Sequence, residues 1–289
     1  MNKTYDRRTQ DVGNIVALEH VNVRIPDQVM ATAYYVQGLG FTRDPYLMVG
    51  VENMWINLGQ EQFHLPTGGP DVLRGHVGVV VPDLDALKGR LEMVKPKLSG
   101  TRFDYAAEDK HVRVTCPWGN QMRAYAAGPA WGECTLGMAY VEFPVPAGAA
   151  DGIKRFYETA MGAPSSVSPD AAGTAAHVKI GNRQELIFRE TRDEIPAYDG
   201  HHIAIYVANF SGPHAWLKKN GLVTEESSEI QYRFKDIVDP DTQKVLFTIE
   251  HEVRSLPHPM FLRPLVNRNA AQRQATFQRG RDAFVPGMN

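Results

Sequence analysis

One strand-like pattern occurs four times along the chain, and this repetition constrains the fold more than any single motif. The segment Glu19-His-Val-Asn-Val-Arg-Ile-Pro returns as Gly75-His-Val-Gly-Val-Val-Val-Pro, and related segments stand about 120 residues later at 139–146 and 200–207. A helical stretch and three short β-type runs follow the first two segments. The sequence therefore predicts an α+β protein of two tandem domains, each an open cup of eight strands built from two paired βαβββ modules, with helices outside.

The repeats also predict where the domains begin and end. We expect domains at 15–128 and 137–252, because Gly, Pro and Trp replace the regular pattern between them. Residues 1–14 are polar, which is typical of a loose N-terminal arm. The pattern is lost over 253–289, where six arginines stand against one acid, so we expect an extended basic strap lying over its own domains or a partner subunit.

The composition limits the classes of partner and location. The 289 residues are 43% hydrophobic and 22% charged, which is enough to form cores, and the formal net charge of −2 gives no electrostatic reason to expect nucleic acid or membrane partners. The chain contains two cysteines, Cys116 and Cys134, which are too few for a disulfide framework, and no stretch is apolar enough to span a membrane. We expect a cytoplasmic protein that binds a small-molecule substrate, and a homodimer stays open.

Three histidines take similar places in strand-like runs of the first predicted domain. His20 and His76 each open a run, and His64 stands near the end of another, on the same face as Gln62. Imidazoles held on neighbouring strands can bind a metal, because the sheet gives them the rigidity that coordination requires. A hydrogen-bonded place in the core is the alternative for each of them.

The order of the modules is similar to a known superfamily. The openings Leu-Glu-His-Val-Asn-Val and Gly-His-Val-Gly-Val-Val-Val-Pro-Asp, in a duplicated βαβββ layout over about residues 16–252, resemble the vicinal oxygen chelate superfamily. This group includes glyoxalases, type I extradiol dioxygenases and bleomycin- or fosfomycin-resistance proteins, and the layout is most similar to the two-domain extradiol dioxygenases. The resemblance implies a divalent metal held by the first and last strands of paired modules.

In the first predicted domain, the resemblance implies the metal ligands His20, His64 and His76, with Arg123 at the fourth position. Such a set suits Fe(II) best, and Mn(II), Zn(II) and Ni(II) are compatible. A guanidinium cannot bind a metal, so Arg123 is a candidate contact for an anionic substrate, together with Gln62.

In the second predicted domain, the resemblance implies an alternative metal set of His202, Glu185 and Glu250. His202 and Tyr140 are candidate catalytic residues. His201 is a candidate substrate contact, because the His201-His202 pair is similar to one near extradiol active sites. We predict the metal in the first domain, since that domain offers three imidazoles at the ligand positions.

Three functions stay open, and the sequence favours an enzyme. The leading prediction is a metal-dependent enzyme of the dioxygenase or lyase type that acts on a small oxygenated, aromatic compound with two adjacent oxygens. The second is a glyoxalase-like isomerase with a carboxylate base, for which Glu185 and Glu250 are the candidates. The third is a metal-free binding or resistance protein in which Arg123 holds an anionic group.

Overall fold

The computed structural model describes residues 5–47 and 52–268 and consists of four βαβββ modules. The first module contains β1 (Ile15–Asn22), helix α1 (Gln28–Ala31, continued as a π-helix over Thr32–Gly38), β2 (Thr42–Arg43), β3 (Asn53–Leu58) and β4 (Glu61–Pro66). The second contains β5 (His76–Val81), α2 (Leu84–Val94), β6 (Asp104–Ala107), β7 (Val112–Thr115) and β8 (Gln121–Ala126).

The second half of the chain repeats this order. The third module contains β9 (Gly137–Pro146), α3 (Ala150–Phe156, continued as a π-helix over Tyr157–Met161), β10 (Ser165–Asp170), β11 (Gly173–Lys179) and β12 (Glu185–Thr191). The fourth contains β13 (His202–Val207), α4 (Ser211–Lys219), β14 (Val223–Ser228), β15 (Gln231–Val238) and β16 (Val245–Ser255).

A Pro-Asp pair lies between the first strand and the helix in each of the first two modules, and its aspartate caps the helix. Asp27 accepts a hydrogen bond from the backbone N–H of Met30, and Asp83 accepts from the backbone N–H groups of Asp85 and Ala86. These bonds satisfy N–H groups that have no partner within the helix, so the aspartate fixes the turn from strand to helix. The repeated dipeptide is therefore a structural signal.

The modules pair differently from the prediction. One eight-stranded sheet has the order β14-β15-β16-β13-β1-β4-β3-β2, and the other has the order β10-β11-β12-β9-β5-β8-β7-β6. The first and fourth modules thus share one sheet, here called the first cup, and the second and third modules share the second cup. Each of the stretches 15–128 and 137–252 gives one module to each cup, so the two cups do not follow the order of the chain.

The two faces of each sheet have different roles. On β1 and β5, Val21 and Val79 point to the outer face and belong to a hydrophobic core that both cups share, together with Leu87 and Leu91 of α2. Because side chains alternate along a strand, the neighbouring residues point into the cups. The inner faces therefore carry the polar side chains that the sequence singles out, beginning with His20.

Segments outside the modules contact the cups. Strand β16 continues to Ser255, so the expected strap begins later than residue 253. Arg263 donates to the carboxylate of Asp44 at 2.8 Å, and the carbonyl of Val266 accepts from Asn57 of β3 at 2.9 Å, which places this part of the strap along the first cup. Its remainder, 269–289, lies outside the described residues.

The N-terminal segment joins the third and fourth modules. The amide of Asn14 donates to the carbonyl of Met161 at 2.9 Å, and the backbone N–H of Asn209 donates to Asn14 Oδ1 at 2.6 Å. Residues 1–4 of the expected arm lie outside the described residues. Over the described part of the chain, no helix has the length and apolar character that crossing a membrane requires.

Candidate metal centre

Two histidines from equivalent places in the first and fourth modules meet inside the first cup. Strands β1 and β13 pair antiparallel, with Asn22 opposite His202 and His20 opposite Ala204. This register brings His20 Nε2 to 3.4 Å from His202 Nε2, and both side chains are buried. The two histidines are 182 residues apart in the chain, so their contact depends on the pairing of the first module with the fourth.

A third imidazole stands beside this pair. His64 lies on β4 next to β1, and His20, His64 and His202 each offer a ligand atom within 4.8 Å of the others. His64 Nδ1 is 2.7 Å from the amide nitrogen of Asn22, and its Nε2 is 2.7 Å from Asn53 Oδ1. Both nitrogens of His64 are therefore hydrogen-bonded, so it must release one partner before it can bind a metal.

Two carboxylates reach the same site from β16. Glu250 Oε1 is 3.6 Å from His202 Nδ1, and Glu252 Oε2 is 3.6 Å from His202 Nε2. Both carboxylates are paired with Arg233, which is 2.6 Å from Glu250 and 2.5 Å from Glu252. Their shared face follows from the alternation of Glu250, His251 and Glu252, because His251 points into the core and bonds Tyr157 Oη at 2.7 Å.

A buried carboxylate orients the first histidine. His20 Nδ1 is 3.2 Å from Glu19 Oε2, and Glu19 forms a close ion pair with Arg254. A carboxylate next to Nδ1 favours the tautomer whose proton is on Nδ1. The lone pair of Nε2 then remains available to a metal. His20 thus directs its lone pair toward His202.

Burial keeps all three imidazoles neutral at neutral pH. Desolvation lowers the pKa of His20 to about 3 and that of His64 to about 2. The pKa of His202 is also well below its usual range. Desolvation is the main cause, and the nearby His20 adds to it. Neutral imidazoles can offer lone pairs to a metal without first losing a proton.

The second cup holds a different set at the equivalent positions. His76 Nε2 is 3.2 Å from Tyr140 Oη, and Tyr140 Oη is 2.8 Å from Tyr125 Oη. His76 therefore does not join His20 and His64, and the predicted triad of His20, His64 and His76 is wrong. The physical reason is the pairing of the modules, which places β5 beside β9.

Comparisons with known proteins give similar structures and no similar sequences among protein families or curated proteins. No protein-family model and no curated protein matches this chain. Maize glyoxalase I has a similar structure, with a TM-score of 0.57 and 15% sequence identity over 84% of this chain and 92% of that one. A "putative dioxygenase" from Bacillus subtilis subsp. subtilis str. 168 gives a TM-score of 0.57 at 13% identity, over 86% of this chain and 87% of that one.

The chain has the vicinal oxygen chelate fold. The predicted α+β class and the two eight-stranded sheets are thereby confirmed. At these identities the likeness concerns the fold alone.

The donors of the first cup fit a divalent transition metal. Two nitrogens that each lie about 2.1 Å from a metal are separated by roughly 3.0–3.4 Å, and the two Nε2 atoms are 3.4 Å apart. Glu252 adds a carboxylate oxygen at 3.6 Å from one of them. Two imidazoles and one carboxylate form the donor set that is typical of non-haem Fe(II) oxygenases.

The remaining candidates of the sequence analysis lie apart from this donor set. Glu185 is an exposed residue of the second cup with its carboxylate 3.2 Å from His177 Nδ1, so the alternative set of His202, Glu185 and Glu250 is not assembled. His201 is buried with its Nδ1 2.6 Å from Asp199. Gln62 lies in the first cup, where its amide donates to Asn57 Oδ1 at 2.6 Å.

The predicted site left out four charged residues that shape it: Glu19, Glu252, Arg233 and Arg254. Glu19 precedes His20 in the chain, and alternation alone directs it away from the inner face. A register shift between Leu18 and His20 in the pairing with β13 breaks that alternation. Glu252 could have been found from its spacing to Glu250, whereas Arg233 becomes visible only when β15 is paired with β16.

Proposed function

We propose that this protein is a metal-dependent enzyme whose active site lies in the first cup. The observation that carries the proposal is the pair His20 and His202, two neutral buried imidazoles 3.4 Å apart with a carboxylate beside them. His20, His202 and Glu252 would hold the metal, and His64 would be a further ligand after release of one hydrogen bond. Fe(II) fits this donor set best.

The proposed substrate is a small oxygenated aromatic compound, and the reaction is of the dioxygenase or lyase type. When bound there, the metal would act as a Lewis acid toward a substrate that offers two adjacent oxygens. The fold supports this class, because structures similar to this chain include a "putative dioxygenase".

The surrounding charges prepare the site for a cation. Glu19 fixes the tautomer of His20, so that the donor atom is in place before a metal arrives. Arg233 and Arg254 hold the carboxylates of Glu252 and Glu19 in the buried cup. These ion pairs reduce the cost of keeping acidic groups out of water and fix their orientation toward His202 and His20.

A glyoxalase-like isomerase is the second candidate, and one observation favours it. Glu250 is a second carboxylate within 3.6 Å of His202, in addition to Glu252. If Glu252 binds the metal, Glu250 remains available as a general base for moving a proton on the substrate. Its ion pair with Arg233 holds it in place.

Metal analysis and oxygen uptake test the proposal. The purified protein, loaded anaerobically with Fe(II), should retain about one metal per chain, and catechol-type substrates should give oxygen uptake that His202→Ala abolishes. His214→Ala, on the surface beside Glu226, is the matched control and should keep both properties. Failure to retain Fe(II), Mn(II), Zn(II) or Ni(II) would refute the metal-dependent function.

The same panel separates the two candidate reactions. Turnover of a hydroxycarbonyl substrate without oxygen uptake, lost in Glu250→Gln, would favour the isomerase. Oxygen uptake that survives Glu250→Gln would favour the dioxygenase.

A further inference from the structure

The second cup repeats the geometry of the first with other chemical groups. In the first cup, β1 and β4 pair so that His64 lies opposite Asn22. In the second cup, β5 and β8 pair in the same parallel register, and Arg123 lies opposite Gly78. Arg123 therefore occupies the place of His64, and a fixed positive charge takes the place of a metal ligand.

The positions equivalent to His202 and Glu252 also carry side chains other than metal ligands in the second cup. Tyr140 takes the place of His202, and its hydroxyl is 3.2 Å from His76 Nε2. The place of Glu252 is taken by the apolar Ile187, since Glu142 is paired with Ile187 as Ala204 is with Glu252. The second cup thus has an apolar side chain where the first cup has a carboxylate.

Gly78 allows this arrangement. A Cβ atom on Gly78 would stand 2.1 Å from Cε1 of Tyr140, so the aromatic ring lies directly against the backbone of β5. From there, the hydroxyl of Tyr140 contacts both His76 and Tyr125. The phenol is held in the inner face of the cup by two neutral partners.

Arg123 has no partner among residues 5–47 and 52–268. The other arginines near it are paired, Arg189 with Glu142 at 3.0 Å and Arg113 with Asp104 at 3.2 Å. Neither a hydrogen bond nor an ion pair connects the Arg123 guanidinium to a described residue. The inner face of the second cup therefore carries one positive charge that no described carboxylate offsets.

A cavity opens beside this guanidinium. It has a volume of about 330 Å³, and Arg123, His76, Gln121 and Arg113 are among the residues that line it. This volume is at the lower end of the range for small-molecule sites. The cavity combines room for a small ligand with an unpaired guanidinium and several other polar side chains.

We propose that the second cup is an anion-binding site in which Arg123 holds a small monocarboxylate through paired hydrogen bonds. The planar fork of the guanidinium matches the two oxygens of a carboxylate. One unpaired guanidinium balances one negative charge, because the other two arginines of the cavity are already paired, Arg189 with Glu142 and Arg113 with Asp104. Glu190 also lines the cavity, which disfavours a doubly charged phosphate. The site is independent of the metal proposed in the first cup.

Isothermal titration calorimetry of the full chain tests this site, with lactate, benzoate and inorganic phosphate as separate probes. At low ionic strength, lactate or benzoate should bind saturably below about 10 mM, and Arg123→Gln should weaken that binding about tenfold or more. Arg123→Lys should bind with intermediate affinity, because it keeps the charge and loses the fork. Arg8→Gln, an exposed arginine paired with Asp6, should bind as the wild type does.

Further experiments decide in which cup the anion binds and which class of anion the protein prefers. EDTA treatment and His202→Ala should leave carboxylate binding unchanged, whereas binding that disappears in His202→Ala would place the anion in the first cup and overturn the proposal. Absence of saturable binding of both carboxylates, or unchanged binding in Arg123→Gln, would also overturn it. Tighter binding of phosphate than of either carboxylate would overturn the assignment of the ligand class.

Discussion

His20 and His202 take equivalent places in the first and fourth modules, and their Nε2 atoms lie 3.4 Å apart in the first cup. His76 takes the same place in the second module, yet it contacts Tyr140 in the second cup. The same strand position therefore serves two different sites, and the partner module decides which one.

Removal of either histidine of this pair should abolish metal retention. His20→Ala and His202→Ala each leave a dication with too few protein ligands, and we expect the affinity to fall about 100-fold or more. His76→Ala is the matched control, because it removes a buried imidazole from the other cup. Metal content after dialysis, measured by mass spectrometry, checks this. Loss of metal in His76→Ala with retention in His202→Ala would contradict the assignment.

The sequence predicted the elements well because their signals are local. The alternating residues of β5 and β8 and the Asp83 cap of α2 each lie within a single segment, and the predicted order of one strand, one helix and three further strands matches the structure of this module. Each of these signals extends over a few residues and does not depend on the rest of the fold.

The pairing of modules could not be predicted in the same way. The opening strands β1, β5, β9 and β13 share one apolar pattern, so each is suited to pair with any of the others. The choice depends on contacts between modules, such as that of α2 with the π-helix Thr32–Gly38. For this reason the sequence pattern grouped His76, and not His202, with His20 and His64. His76 and His202 take equivalent places in their modules and differ in the strands that pair with them.

Buried neutral histidines should make the metal-free protein less stable as the pH falls. Burial holds the folded pKa of His20 and His76 at about 3 and that of His251 at about 4, below the usual value of 6.5. Below about pH 6.5, the unfolded chain binds protons that the folded chain does not bind, so the free energy of unfolding decreases toward these folded values. Each histidine should contribute at most about 1.4 kcal/mol per pH unit.

Urea unfolding of EDTA-treated protein at pH 7, 6 and 5 checks this slope. His76→Gln should reduce the dependence of the free energy of unfolding on pH by the contribution of one titrating histidine. In the Glu61→Gln variant, which lacks the opposing effect of the raised Glu61 pKa, an equal free energy of unfolding at pH 7 and pH 5 would contradict the burial of neutral imidazoles.

Glu61 should act in the opposite direction at higher pH. Its side chain is half-buried, but the carboxyl group accepts from the backbone N–H of Met138 at 2.9 Å in dense packing, and desolvation raises its pKa to about 8. The folded chain keeps a proton that the unfolded chain loses above about pH 4.5, so stability decreases as the pH rises toward 8. Glu61→Gln should remove the decrease between pH 6.5 and 8, as followed by urea unfolding. Glu133→Gln, which is exposed, should keep it.

Gly78 and Gly89 offer a matched pair of substitutions. Gly78→Ala would place a methyl group 2.1 Å from the Tyr140 ring, so we expect a loss of about 1–3 kcal/mol in the free energy of unfolding. Gly89→Ala adds a methyl group in open space on α2 and should stabilise the protein by about 0.5–1 kcal/mol. Chemical denaturation measures both, and an unchanged stability of Gly78→Ala would show that Tyr140 can move away at no cost.

The pairing of the first module with the fourth can be tested by cutting the chain between the second and third modules. The segment Pro129–Trp131 is exposed at Pro129 and Ala130 and connects β8 to β9, so a protease site inserted there should be cleaved in the folded protein. Each cup needs one module from each fragment, because β1 pairs with β13 and β5 pairs with β9. The two fragments should therefore remain a one-to-one complex in gel filtration, and metal retention should persist, since His20 and His202 lie on different fragments. Domains that follow the order of the chain would instead give two folded fragments that separate after cleavage.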